Sequence, residues 1–413
     1  MSTNKEKVRI ERIHEIDGVR GWAALVVLMF HLTWEVFGAK VPTFRLPYLK
    51  FFLDGPLAVY VFFVLSGDAL SSPFLALGDR VFIDRLVLKR YFRLSLPIFC
   101  SCLLVYILMC AGLNFAPAAA KIVGREDWLG IFLPFAPNFL DTLSYAFKWV
   151  FVDHRIETSY NPFLWPMSIE FIGSFFVFTY ITMMGRLRWP TRTTLVVYGL
   201  ALFLSPFYSL FFAGILFAQL RHGGFFKKIR SGNKTALLGL LILLAVVVLD
   251  GAFEAIQTQY APLMNWFARG YPFLNRLGEI LVQIHFTPNF RSYFLSVLAV
   301  ATVAAVYSNS LLVGFFSNRI SRFLGGISFP LYIMHFSVIV SFTSWLIIFH
   351  FTQEHKTLTA LKIISASAVL ALIVATLFRP IESKLLKGLD WLVRKCFVSG
   401  SENPGKRSPK REH

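Results

Sequence analysis

The sequence predicts an all-α protein, a polytopic transmembrane helical bundle of about ten helices with both termini cytoplasmic. Three observations carry this expectation. Hydrophobic residues make up 56% of the 413 and charged residues only 15%, well below the roughly 25% charge of an ordinary soluble domain. The apolar residues gather into runs of bilayer length, and the basic residues gather between alternate runs. A composition of this kind excludes a water-soluble enzyme.

A membrane span needs roughly 17 to 25 predominantly apolar residues. On that measure helices are expected near 18–37, 56–75, 92–113, 163–184, 193–205, 207–221, 235–251, 293–311, 326–349 and 358–378. The fifth and sixth are short and flank Ser205-Pro206, so one kinked helix or a re-entrant hairpin are the competing shapes. Counted as two, they place every basic connection on one side. Counted as one, they reverse the later loops and break the positive-inside pattern.

The formal charge is +18, with Lys and Arg concentrated in 80–93, 186–192, 221–234, 319–322 and from Arg379 onward. The intervening connections, 112–161 and 250–291, are nearly balanced in sign. Such an alternation is membrane topology, so the bilayer is the expected partner and nucleic acid is not.

Residues 1–15 read as a cytoplasmic N-terminal segment; no small-residue cleavage site follows the first apolar run, so that run is expected to stay as a helix. Residues 16–380 form the membrane unit. Residues 381–413 read as a basic cytoplasmic tail, expected to be disordered from Ser399. The aromatic connection 112–161 is too long for a turn and suggests interfacial helices around Trp128 to Phe151. The second long connection, with Trp266, Tyr271 and His285, reads as an interfacial cap. Cys100, Cys102 and Cys110 share one apolar run and Cys396 lies in the tail, an arrangement that fits neither a disulfide framework nor a zinc site; no metal is expected.

Polar residues at membrane depth point to function, because a charge at the bilayer centre costs ~2.5 to 3.5 kcal/mol even on insertion scales. Arg20 and His31 share one helix face about 16 Å apart along the axis, with Asp17 and Glu35 near the same stripe. Glu35, one turn outward from His31, is placed to orient the imidazole. Arg90 and Arg93 stand one turn apart at the expected start of the third helix, where two guanidinium groups can clamp a phosphate or simply anchor the helix. Glu170 is expected about 12 Å below the outer entrance of its helix. It needs a cationic partner there, and a structural pin between helices is the alternative. In the stretch from Gly325 to His335, Ser328 reads as an N-cap with Pro330 in the first turn. Ser328, Tyr332 and His335 then follow one face. About 10 Å of rise separates Ser328 from His335, too far for direct activation of the hydroxyl.

Taken together, these residues resemble acyltransferase family 3, the membrane proteins that include bacterial polysaccharide O-acetyltransferases and fungal relatives. The resemblance runs from about Glu15 to Pro380. It rests on Asp17-Gly18-Val19-Arg20-Gly21 followed by His31, on Phe62-Phe63-Val64-Leu65-Ser66-Gly67, and on Arg90, Arg93 and Pro97. It rests also on Trp165-Pro166-Met167-Ser168-Ile169-Glu170-Phe171, closer to fungal members than to the bacterial wording, and on Ser328 to His335. Two departures are Tyr60-Val61, where many bacterial members carry an acid before the Phe-Phe pair, and Asp68, where an aromatic or apolar residue is common.

The resemblance implies an acyl-CoA donor, acetyl-CoA above all, binding from the cytoplasmic side with its phosphates on Arg20, Arg90 and Arg93. It implies a hydroxylated acceptor: a glycan, a secondary metabolite or a lipid. His31 is then the general base, oriented by Glu35 or Glu170, in a pocket shaped or supported by Asp17, Ser328, Tyr332 and His335. Direct attack on the thioester and an acyl-histidine relay both remain open. No soluble transferase domain follows the tenth expected helix, so the membrane unit is expected to handle the acceptor. The alternative class is a non-enzymic, proton-coupled transporter, since buried His, Glu and Arg also mark ion pathways.

Overall fold

The computed structural model describes residues 13–78, 80–259 and 290–396. The expected cap residues Trp266, Tyr271 and His285, most of the N-terminal segment and the tail from Ser399 lie outside the described residues. Ten principal helices occupy the ten expected places. They are α1 (His14–Phe30), α2 (Gly55–Leu77), α3 (Arg80–Cys110), α4 (Pro166–Met184), α5 (Pro190–Leu204), α6 (Pro206–His222), α7 (Asn233–Gly251), α8 (Phe290–Ser308), α9 (Arg319–Val338) and α10 (Lys356–Cys396).

Among the described residues, seven segments are long and apolar enough to cross a membrane. An eighth is α7 taken together with Phe253–Gln259, which is bent by 60° at the break. The expected count of about ten is therefore reached only by including α5 and α6, which are short. These two form an antiparallel pair rather than one kinked helix: Gln219, late in α6, donates to the hydroxyl of Thr194, early in α5, at 3.0 Å. Rows of large apolar side chains face outward, among them Leu195 and Leu200 on α5, Leu241 and Leu244 on α7, and Leu361 and Leu377 on α10. That much exposed apolar surface belongs in lipid. The protein is a multi-pass integral membrane protein.

Two helix starts differ from expectation, and both move site residues. The basic segment before the third apolar run is itself helical, so α3 begins at Arg80 and Arg90 lies about 15 Å inside the helix rather than at its start. In α9 the N-cap is Asn318, whose side chain accepts from the amide of Ser321 at 2.8 Å. Ser328 is consequently mid-helix, with its hydroxyl donating to the Gly325 carbonyl at 3.0 Å, and Pro330 lies inside the helix. A proline there leaves the carbonyl four residues back without its helical donor.

Small residues set how the site helices cross. A β-carbon on Gly21 would overlap the Gly325 amide nitrogen, and one on Gly325 would overlap the Asp17 carbonyl. The glycines around Arg20 therefore bring α1 against α9 at backbone distance. Gly67 and Gly214 do the same for α2 and α6, each facing backbone of the other helix. Asp68, one of the two departures from the family pattern, is fully buried. It pairs with Arg221, and it accepts from Tyr307 at 2.8 Å and from Ser72 at 2.9 Å. The unusual acid is thus paired within a polar cluster joining α2, α6 and α8.

Candidate active site

Six of the ten residues singled out from the sequence line one cavity of about 140 Å³: Arg20, Arg90, Arg93, Glu170, Ser328 and Tyr332. They come from four helices. The glycine-mediated crossing of α1 and α9 brings Arg20 alongside Ser328 and Tyr332, while α3 and α4 contribute the remaining three. Phe62, Phe63, Pro166 and Met167 supply apolar wall, and Glu382 of α10 completes the lining.

Glu170 has the arginine partner its burial demands. Arg90 forms an ion pair with it, the two side chains being 9% and 13% exposed. The hydroxyl of Ser66 also donates to the Glu170 carboxylate, and Arg90 Nε donates to Ser174 Oγ at 2.6 Å. Sequence spacing placed these residues toward opposite faces of the membrane; the ion pair puts them side by side. Arg90 is committed inside the protein. Arg93, one turn further along α3, is exposed at the cavity, and Arg20 keeps a buried Nε without a hydrogen-bond partner among the described residues.

His31 stands apart from this cavity. Its ring lies flat against Phe163, with centroids 3.9 Å apart and planes 2° from parallel. The His335 ring is 5.3 Å away and the Trp128 ring 5.6 Å. Asn161 holds this arrangement: its side-chain amide donates to the Ile333 carbonyl at 2.9 Å and to Ser101 at 3.0 Å, pinning the entrance of α4 to α9 and α3. Tyr332 connects the two regions. It lines the arginine cavity, donates to the Phe163 carbonyl at 2.6 Å, and has its ring 6.0 Å from that of His335.

The tautomer of neutral His335 follows from its partners. Nδ1 lies 3.1 Å from the Leu331 carbonyl, which can only accept, so Nδ1 carries the proton and Nε2 presents a lone pair. That Nε2 is buried without a partner among the described residues, as is Nδ1 of His31. The two imidazoles thus offer unused nitrogens at one place.

Glu35 does not face His31. The α-helix becomes a π-helix over His31–Phe37, a widening of the turn that recurs at functional sites and that moves Glu35 away from the position an α-helical spacing gives it. Arg125, in the connection after α3, takes the Glu35 carboxylate at 2.9 Å and also bonds its backbone carbonyl. Glu170 is likewise occupied elsewhere. Neither acid orients the imidazole by direct contact; aromatic rings surround it instead. Asp17 lies on α1 beside the close crossing with α9.

Beyond His31, at the far end of α1, a wider cavity of about 750 Å³ is lined by Phe30, Trp34, Glu35, Arg45, Lys50 and Phe253 among others. Phe30 touches both, its ring centroid 5.1 Å from that of His31. Glu382, Phe163, Trp128 and Asn161 are the residues that sequence reasoning missed. Glu382 falls just past the expected end of the last span, and single aromatics in an aromatic loop carry no distinguishing signal.

The acyltransferase domain of family 3 matches residues 13–379. Among characterised proteins, the chain is 23% identical over 385 residues to the O-acetyltransferase PaAT-1 of Phomopsis amygdali, covering 80% of this chain and 73% of that relative. It is 23% identical over 472 residues to the acyltransferase clz18 of Cochliobolus lunatus, covering 93% of this chain and 96% of that relative. No solved structure matches.

Proposed function

The chain belongs to acyltransferase family 3, and from that premise we propose that it moves an acyl group, acetyl being the expected one, from acyl-CoA to a hydroxyl of a glycan, secondary metabolite or lipid. The observation that carries this reading is the order of features along α1. An arginine-lined cavity holds Arg20, His31 stands three turns further on, and a second cavity begins at Phe30 and Trp34.

In this reading the donor enters from the cytoplasm, where both chain termini lie, and its phosphates engage Arg93 and Arg20. Arg90 contributes field rather than contact, because Glu170 and Ser174 occupy it. The thioester arm passes Tyr332 toward the two histidines. The acceptor reaches His31 from the second cavity. His31 takes the hydroxyl proton, the acceptor oxygen attacks the thioester carbonyl, the carbon–sulfur bond breaks, and the CoA thiolate leaves with the proton returned by His31. His335 supports this step through its neighbouring lone pair.

Purified protein in lipid nanodiscs, given labelled acetyl-CoA and hydroxylated candidate acceptors, tests the reading. Release of free CoA should require an acceptor, and label should appear in an ester product. Acceptor movement across the membrane with the thioester intact would instead make the protein a carrier.

A further inference from the structure

The charges around the arginine cavity are held in two different ways. Three guanidinium groups, from Arg20, Arg90 and Arg93, face two carboxylates, from Glu170 and Glu382. Glu170 is fixed by an ion pair to Arg90 and by the Ser66 hydroxyl. Glu382 has neither an ion pair nor a hydrogen bond among the described residues. It is half-buried, and Arg93 and Arg379 are the charged groups that act on it. It sits on the length of α10 that continues beyond Pro380 alongside α3. Two turns further on, Asp390 clamps that same length to α3 through an ion pair with Lys89 at 2.5 Å.

We propose, resting on the acyl-CoA reading above, that Glu382 is an exchangeable counter-ion and a specificity-determining residue for the donor. It compensates Arg93 while the cavity is empty and is displaced electrostatically when a ligand's phosphates arrive. Clustered cations at a cavity of this kind need compensation. A carboxylate without fixed partners supplies it at close range and gives way to a ligand of higher charge. An anion of single charge gains little against it, whereas a pyrophosphate-bearing donor outcompetes it. Glu382 therefore narrows the site toward oligophosphate ligands at some cost in affinity. Asp390 and Lys89 keep α10 beside α3, so the exchange needs only the Glu382 side chain to move.

The test is Glu382→Gln in full-length protein in nanodiscs, with two readouts. At low ionic strength KM for acetyl-CoA should fall roughly three- to ten-fold with kcat unchanged, and the gap should close at 0.5 M salt, where a few ångströms of solvent screen the interaction. Inorganic pyrophosphate should raise the melting temperature of the variant more than that of the wild type. A variant that unfolds when purified without ligand should be recovered by purification in pyrophosphate. An unchanged or raised KM, an equal pyrophosphate response, or failure of that recovery each overturns the proposal; a raised KM would make Glu382 a direct contact to the donor. Wild-type protein that leaves acetyl-CoA intact in the presence of acceptors would remove the acyl-CoA reading, while the pyrophosphate comparison still reads the counter-ion role.

Discussion

Arg90 of α3 and Glu170 of α4 form an ion pair inside the bundle, at the wall of the one cavity that gathers most of the polar residues legible in the sequence. The pair gives each residue a role different from the one its position along the chain implies. Arg90 is not a free phosphate clamp and Glu170 is not a partner of His31. Together they hold α3 against α4, with Ser66 of α2 joining through the same carboxylate oxygen.

Breaking that pair leaves a buried charge unmatched, which typically costs about 3 to 5 kcal/mol. Glu170→Gln should therefore lower thermal stability in detergent markedly. The double variant Arg90→Met with Glu170→Leu should recover most of the loss. Wild-type melting of the single variant would show that the pair does not hold the helices together.

Arg93 is the exposed guanidinium of the cavity. Arg93→Gln should raise KM for acetyl-CoA about ten-fold, the size of one charge-assisted contact, while kcat stays within two-fold. The effect should shrink with added salt. A loss of kcat at unchanged KM would move Arg93 from donor binding to chemistry.

Gly67 meets the Phe211 backbone at the crossing of α2 and α6. Gly67→Ala forces the helices apart, and overpacking of this sort costs about 1 to 3 kcal/mol. Gly199, which has open space around it, provides the control: Gly199→Ala should leave the melting temperature unchanged or slightly raised. Equal melting of Gly67→Ala and wild type would contradict the close crossing.

His154 lies outside the membrane segments, in the connection before α4, bonded to Tyr145 at 3.0 Å and to the Pro162 carbonyl at 3.1 Å. Burial lowers its pKa from 6.5 to about 4. The unfolded chain therefore binds a proton that the folded chain refuses as pH falls from 6.5 toward 4. Stability is fully present above pH 6.5 and declines across that window by up to about 3 kcal/mol. Melting curves at pH 7 and pH 5 should show a drop that is smaller in His154→Gln; parallel drops in both proteins would show that His154 does not contribute.

Much of this architecture was legible because lipid imposes length. Ten apolar runs predicted ten helices in place, and Ser205-Pro206 marked a true break. The site was legible as a set of residues, since Arg20, Arg90, Arg93, Glu170, Ser328 and Tyr332 do converge. Their pairings were not. Hydropathy cannot see that the charged residues from Arg80 onward continue α3 as helix, nor that Arg90 meets Glu170 across two helices. Nor does α-helical spacing foresee the π-helix after Phe30 that turns Glu35 toward Arg125. Glu382 was hidden because it lies where α10 continues as helix past its apolar run.

The central claim, that acyl transfer occurs at His31, is tested most directly by acceptor-dependent release of CoA from labelled acetyl-CoA, comparing wild type with His31→Ala in nanodiscs. Both proteins should show the same pyrophosphate-induced rise in melting temperature, which reports an intact arginine cavity. With that control met, the account predicts at least a hundred-fold loss of transfer in His31→Ala, the usual scale for removing a general base. Transfer at the wild-type rate by the folded variant would contradict it.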